Sequence, residues 1–144
     1  MPENEDQPEP VSNEGYTLDK SLEDAKKAFD IIHNHTDEWF IDENRIYAVG
    51  FSAGANLVGM LAENYQEEAK LRGILLGYPL VAPNSYDGAI DILKQVDAQK
   101  WSSLIDNISP KLPRTFVWQT NDDTTVRPDL TTKFVINCKK NTFR

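Results

Sequence analysis

Cysteine is nearly absent: the one thiol, Cys138, cannot form an internal disulfide, so a reducing, cytoplasmic setting is expected. Histidine is almost as scarce, with only His33 and His35 in 144 residues. Their i, i+2 spacing puts them on different faces of a helix, which argues against a shared metal. No apolar run is long enough to cross a bilayer, so no membrane role is expected. Met1 to Glu14 is acidic and carries prolines instead of a basic and then apolar stretch, which excludes a signal peptide in that segment. Basic residues are outnumbered 15 to 23, for a net charge of −8, and this excludes a phosphate-neutralising surface for nucleic acid. Much of the excess is local, because Glu3, Glu5, Asp6, Glu9 and Glu14 all precede the first basic residue, Lys20.

What remains is the composition of one soluble globular domain, 40% hydrophobic and 26% charged. Residues 1–18 offer almost nothing to bury and read as a disordered acidic leader, with the domain over 19–144. Ser21 and Asp24 resemble a capping box at a helix start. Leu22, Ala25, Phe29, Ile32, Thr36 and Trp39 then recur at helical spacing as one apolar face. Asp42, Glu43 and Asn44 supply turn chemistry. Ile46 to Phe51 is a short, nearly continuous apolar run, which suits a strand covered on both faces. Helical spacing returns from Ala53 to about Tyr65 through Leu57, Met60 and Leu61. Leu71 to Leu80 and Thr115 to Gln119 read as two further strands. Between those two lies an excursion, about 81–112, with helical pieces at Ala89 to Val96 and Trp101 to Ile105. A last amphipathic helix runs from Pro128 through Leu130, Phe134 and Val135 to Cys138, followed by a basic tail, Lys139 to Arg144. This alternation predicts an α/β fold: a short parallel sheet flanked by helices, with a helical insertion before the last strand.

Gly50-Phe51-Ser52-Ala53-Gly54 carries the chemistry. An apolar strand ends at Phe51 and a helix begins at Ala53, so Ser52 falls on a sharp strand-to-helix turn. Glycines at both flanks, Gly50 and Gly54, let such a turn close without side-chain clashes. The backbone N–H of Ala53, at a helix N-terminus, then points where an oxyanion would form.

With these residues in view, the chain resembles the α/β-hydrolase superfamily, and within it the acetyl-esterase and xylan-esterase-like branch. The resemblance rests on Ser21 to Ala25, Glu38-Trp39, Ile41-Asp42, Asn44-Arg45-Ile46 and the Ser52 segment. Gly77-Tyr78-Pro79 resembles the end of the next strand, and Pro113 to Val126 resembles the strand and turn that deliver a triad acid. The family pattern places that acid before two variable residues and a valine, which selects Asp123 with Val126, and Asp122 stands next to it as the alternative register.

The resemblance implies ester hydrolysis by acyl transfer through Ser52, a small-molecule ester substrate, and neither metal nor organic cofactor. The excursion, with Tyr86, Trp101 and Leu104, is where such enzymes shape a substrate pocket, or else it is an ordinary packed connection. Two departures stand against full activity. No histidine follows Asp123, where the family order Ser, acid, His requires one. No glycine-rich loop precedes Ser52 to supply a second oxyanion donor. His33 and His35 are expected roughly 20 Å from the Ser52 hydroxyl, across a strand of about six residues. Cys138 is expected to be a small buried apolar residue.

The expectation is therefore a fragment of a serine esterase, inactive alone. The alternatives are a non-catalytic binding domain and a half-domain completed by a partner chain. Ile46 to Phe51 contains neither charge nor proline, so it is also expected to form an unprotected sheet edge open to self-association.

Overall fold

The computed structural model describes residues 18–86, 103–106 and 108–142. The acidic leader, the helical stretch at Ala89 to Val96, Trp101, and Phe143-Arg144 at the end of the tail lie outside the described residues. The order of elements is α1 (Leu18–Asn34), α2 (Thr36–Trp39), β1 (Tyr47–Phe51), α3 (Ala53–Asn64), α4 (Gln66–Ala69), β2 (Gly73–Gly77), β3 (Arg114–Trp118) and α5 (Pro128–Thr142). Short 3-10 turns at Glu43–Arg45 and Pro83–Ser85 precede β1 and follow β2.

The three strands form one parallel sheet in the order β1-β2-β3. Tyr47 pairs with Gly73 and Phe51 with Gly77, while Gly73 pairs with Arg114 and Gly77 with Trp118. This register sorts the side chains by face, since strand residues alternate. Ala48, Gly50, Ile74, Leu76, Thr115 and Val117 point to one face, where α3 packs against β1 and β2. Packed α3 and α1 extend the core outward, with Leu22, Ala55, Met60, Leu61, Ile74, Leu76 and Phe134 buried in one cluster.

The opposite face carries Tyr47, Val49, Phe51, Leu75, Phe116 and Trp118, and among the described residues no helix covers it. Tyr47, Val49 and Phe51 stay 52–61% exposed, as do Phe116 at 61% and Trp118 at 50%. The expectation that the first strand is covered on both faces is thus overturned. Only β2 is buried nearly throughout, and for a local reason. Its bare-face positions 73 and 77 are glycines, and a Cβ there would meet the ring atoms of Tyr47 at 3.3 Å and of Phe51 at 2.3 Å. Rings from β1 roof over β2.

Three further expectations change. The first helix begins at Leu18, so Ser21 lies inside it and not at its start. Helix α1 stops at Asn34 and the chain restarts at Thr36, which turns Trp39 away from the stripe of Leu22, Phe29 and Ile32; Trp39 stacks instead on the His35 ring, 4.7 Å between centroids. The residues read as a basic tail, Lys139 to Thr142, continue α5. Their two lysines sit in its last turn, where positive charge complements the helix dipole.

Candidate active site

The strand-to-helix turn at Ser52 has φ 52° and ψ −121°, a backbone region that side chains other than glycine rarely adopt. Ser52 holds that conformation because its backbone is tied on both sides. Its N–H donates to the Gly77 carbonyl at 3.0 Å, and its own carbonyl accepts from Leu80 at 3.1 Å and from the α3 residue Ala55 at 3.1 Å. Buried Asn56, one turn into α3, donates from its side-chain amide to the Leu80 carbonyl at 2.9 Å. The turn is thereby fastened to the segment that follows β2. Sequence periodicity placed Asn56 on a helix without marking it; a lone polar side chain in the otherwise small or apolar run Ala53 to Ala62 was the available signal.

The two flanking glycines differ in their reason. A Cβ on Gly50 would lie 2.4 Å from the Gly54 carbonyl oxygen and 2.8 Å from the Ala55 Cα, so α3 can approach β1 only over a glycine. A Cβ on Gly54 meets nothing within 4 Å, so that glycine relieves no clash here. Ala53 opens α3, and its N–H is one of the four that a helix start leaves without an internal acceptor. It is available to an anion beside Ser52.

Because the strands are parallel, the turn after β3 reaches the same edge of the sheet as Ser52, two strand spacings away, about 10 Å. Asp123 is held there by three donors. The Val126 and Thr125 N–H groups reach Oδ1 at 2.8 and 2.9 Å, and the Gln119 amide reaches Oδ2 at 3.0 Å. The Val126 N–H most of all holds this carboxyl below the usual aspartate range; burial opposes it next in size, and the Thr125 N–H and the Gln119 amide add to the lowering. Asp122 is exposed, and its carboxylate makes no hydrogen bond with a described residue.

Histidine does not reach this edge. The His33 ring nitrogen Nε2 sits 3.2 Å from the Ala69 carbonyl and Nδ1 3.9 Å from the Glu43 carboxylate, both just ahead of strand starts. His35 Nδ1 lies 2.7 Å from the Ile31 carbonyl within its own helix. The five residues of β1 separate them from Ser52 by roughly 16 Å. Cys138 is half-buried; burial, then the charge of Glu63, pushes its thiol up to about 11, which keeps it protonated and a poor nucleophile at neutral pH.

Of the residues expected to shape a pocket, Leu104 is fully buried against Gly59, and Tyr86 accepts a hydrogen bond at its hydroxyl from the Arg127 N–H at 2.9 Å. Both serve packing of the connection. The sequence reading missed an aromatic group at the site edge: Tyr78, itself at φ 35°, stands 5.7 Å from the Phe51 ring and 6.1 Å from the Trp118 ring. Cavities of about 460 Å³ on the bare sheet face and 350 Å³ between β3 and α5 are lined by neither Ser52 nor Asp123. Among the described residues no three His, Cys, Asp or Glu side chains converge as metal ligands, and no helix is long and apolar enough to cross a membrane.

A parallel sheet flanked by helices, with a serine on a strained turn between a strand and a helix N-terminus, defines the class as α/β-hydrolase. The chain belongs to that family: residues 16–114 match the model of the alpha/beta hydrolase fold. It is 28% identical to endo-1,4-beta-xylanase B of Butyrivibrio fibrisolvens, over 73% of this chain and 19% of that protein. Among solved structures it resembles a sugar hydrolase from Lactococcus lactis, with a TM-score of 0.72 at 23% identity, covering 91% of this chain and 54% of that one. It also resembles an acetyl ester-xyloside bifunctional hydrolase from Caldicellulosiruptor lactoaceticus, with a TM-score of 0.67 at 24% identity over 87% and 53%. A carboxylesterase from Lactobacillus plantarum gives 0.68 at 24% identity over 83% and 49%. The chain therefore spans about half the length of these structures and about a fifth of the curated relative.

Proposed function

We propose that this chain carries the nucleophile half of a serine ester hydrolase acting on small-molecule esters. The observation that carries the reading is the Ser52 backbone, held in a strained conformation on the same sheet edge as the anchored Asp123. Strain of this kind persists only where surrounding structure enforces it, and it concentrates at functional sites. In this reading the Ser52 hydroxyl oxygen attacks the ester carbonyl carbon, and its proton passes to a histidine contributed from outside this sequence. The tetrahedral oxyanion is held by the Ala53 N–H. The leaving alcohol takes the proton, and water releases the acyl group from Ser52 by the reverse path. Asp123, with Asp122 as the alternative register, orients the imidazole. The relatives' esterase and acetyl-ester names support this substrate class.

The sheet face that no described helix covers and the pairing of β1 on one side only among the described strands favour a companion reading, a half-domain completed by further polypeptide. Both readings meet the same test. Alone, the chain is expected to turn over p-nitrophenyl acetate no faster than its Ser52→Ala variant, because an unassisted serine hydroxyl is a weak nucleophile. Extended by the glycine-rich loop and histidine-bearing segments of a related esterase, it is expected to gain activity that Ser52→Ala abolishes. Asp123→Asn should then reduce turnover by up to roughly 10⁴-fold, the scale on which a triad suffers from the wrong imidazole tautomer. Asp122→Asn should be mild. Ser52-dependent turnover by the chain alone would overturn the view that its base comes from elsewhere.

A further inference from the structure

We propose that Gln119 is a positioning residue for the Asp123 carboxylate, with Thr131 on α5 holding the Gln119 amide in the orientation this requires. The inference rests on Asp123 being the acid of the proposed reaction.

Gln119 is the first residue beyond β3, and three close partners surround its amide, with the Thr120 carbonyl more distant at 3.5 Å from Nε2. Nε2 donates to Asp123 Oδ2 at 3.0 Å and to the Val126 carbonyl at 3.2 Å, and Oε1 accepts from the Thr131 hydroxyl at 3.2 Å. Chemistry decides which end of the amide faces which partner. An ionised carboxylate and a backbone carbonyl can only accept, so the NH2 group must face both. The flipped amide would set its oxygen against two acceptors. Thr131 can donate, and it is buried to 4% exposure on α5, with a β-branched side chain of few rotamers. It thereby selects the amide orientation from a rigid helix.

The consequence falls on the acid. A carboxylate offers about four acceptor positions. The Val126 and Thr125 N–H groups take the two on Oδ1, and Gln119 takes one on Oδ2. One acceptor direction on Oδ2 is left for an imidazole N–H. Without the Gln119 amide, Oδ2 would be oriented only through the hydrogen bonds that Oδ1 accepts, and water would compete for both of its positions. Tyr86 steadies the same turn by accepting from the Arg127 N–H.

The test follows the Asp123 carboxyl through a pH titration by carbon-detected NMR of the full chain. Gln119→Met keeps the length and removes the donor; the Asp123 midpoint is expected to rise toward the ordinary aspartate value. Thr131→Val should raise it by less, and Thr131→Ser, which keeps the hydroxyl, should restore the wild-type midpoint. A role in packing alone would lower the melting temperature and leave the midpoint in place, and that outcome overturns the proposal. If Gln119→Met fails to fold, the Val and Ser variants at position 131 decide by the same readout, and identical midpoints overturn it. No turnover is needed, so this result is independent of the ester chemistry, which stands or falls on Ser52-dependent hydrolysis by the completed enzyme.

Discussion

Glu63 is the residue most at odds with its surroundings. It lies on α3 with one carboxylate oxygen buried and without a hydrogen-bond partner, and burial raises its pKa to about 8. A folded value above the unfolded 4.5 means that the folded chain binds the extra proton. The stability associated with the protonated form is therefore complete below about pH 4.5, declines as pH rises, and is gone above about pH 8. Glu63→Gln removes the titration. It is expected to match the wild type near pH 4 and to exceed it near pH 8, by on the order of a few kcal/mol, read from urea unfolding at both values. A wild-type stability that is flat across this window would contradict the burial argument. The two glycines of the Ser52 turn should separate just as sharply. Gly50→Ala forces a methyl group into the backbone of α3 and is expected to cost about 1–3 kcal/mol or more, whereas Gly54→Ala enters open space on a helix and should be neutral or stabilising by up to about 1 kcal/mol. Thermal melts of the two variants check the contrast.

At the scale of elements, the fold depends on how α3 is joined to the chain after β2. Asn56 donates to the Leu80 carbonyl, and the Leu80 N–H donates to the Ser52 carbonyl, so helix, turn and connection close into one hydrogen-bonded loop. Asn56→Leu leaves the Leu80 carbonyl buried without that donor. The expected cost is about 1–3 kcal/mol, with faster amide exchange at Leu80 and Ala55 as its local signature. Unchanged exchange at both amides would show that the loop is held by other contacts. The acid turn has the same construction, with a side-chain amide from the strand end and two backbone donors converging on one carboxylate.

At the scale of the whole molecule, the sheet has one dressed face and one bare one. Parallel sheets are ordinarily buried on both faces. Here Tyr47, Val49, Phe51, Phe116 and Trp118 present an apolar surface, and β1 is paired on one side only among the described strands. The isolated chain is accordingly expected to self-associate, with mass by light scattering rising with concentration and fast hydrogen exchange in dilute solution at those amides of residues 46–51 that point away from β2. Replacing Val49 and Phe116 by threonine should reduce the association without unfolding the core, since both side chains face away from α3. A monomer at all concentrations, with residues 46–51 strongly protected, would show that a part of this chain covers the strand.

The amino-acid sequence by itself determined the α/β class, the strand positions to within a few residues, and the placement of Ser52 between a strand and a helix. These follow from apolar periodicity and from glycines flanking a serine, which are local signals. Asp123 could be singled out only through the family pattern, because a pair of aspartates in a turn looks the same in either register. What joins them was decided in three dimensions. The parallel register brings the ends of β1 and β3 to one edge, and residues distant in sequence, Gly77 and Leu80 for the serine and Thr131 for Gln119, hold the two turns there. The bare face was equally beyond reach of the sequence. Alternation tells which side chains share a face, but a hydrophobic strand reads the same whether or not another element arrives to cover it, and burial is a property of the neighbours that tertiary structure supplies.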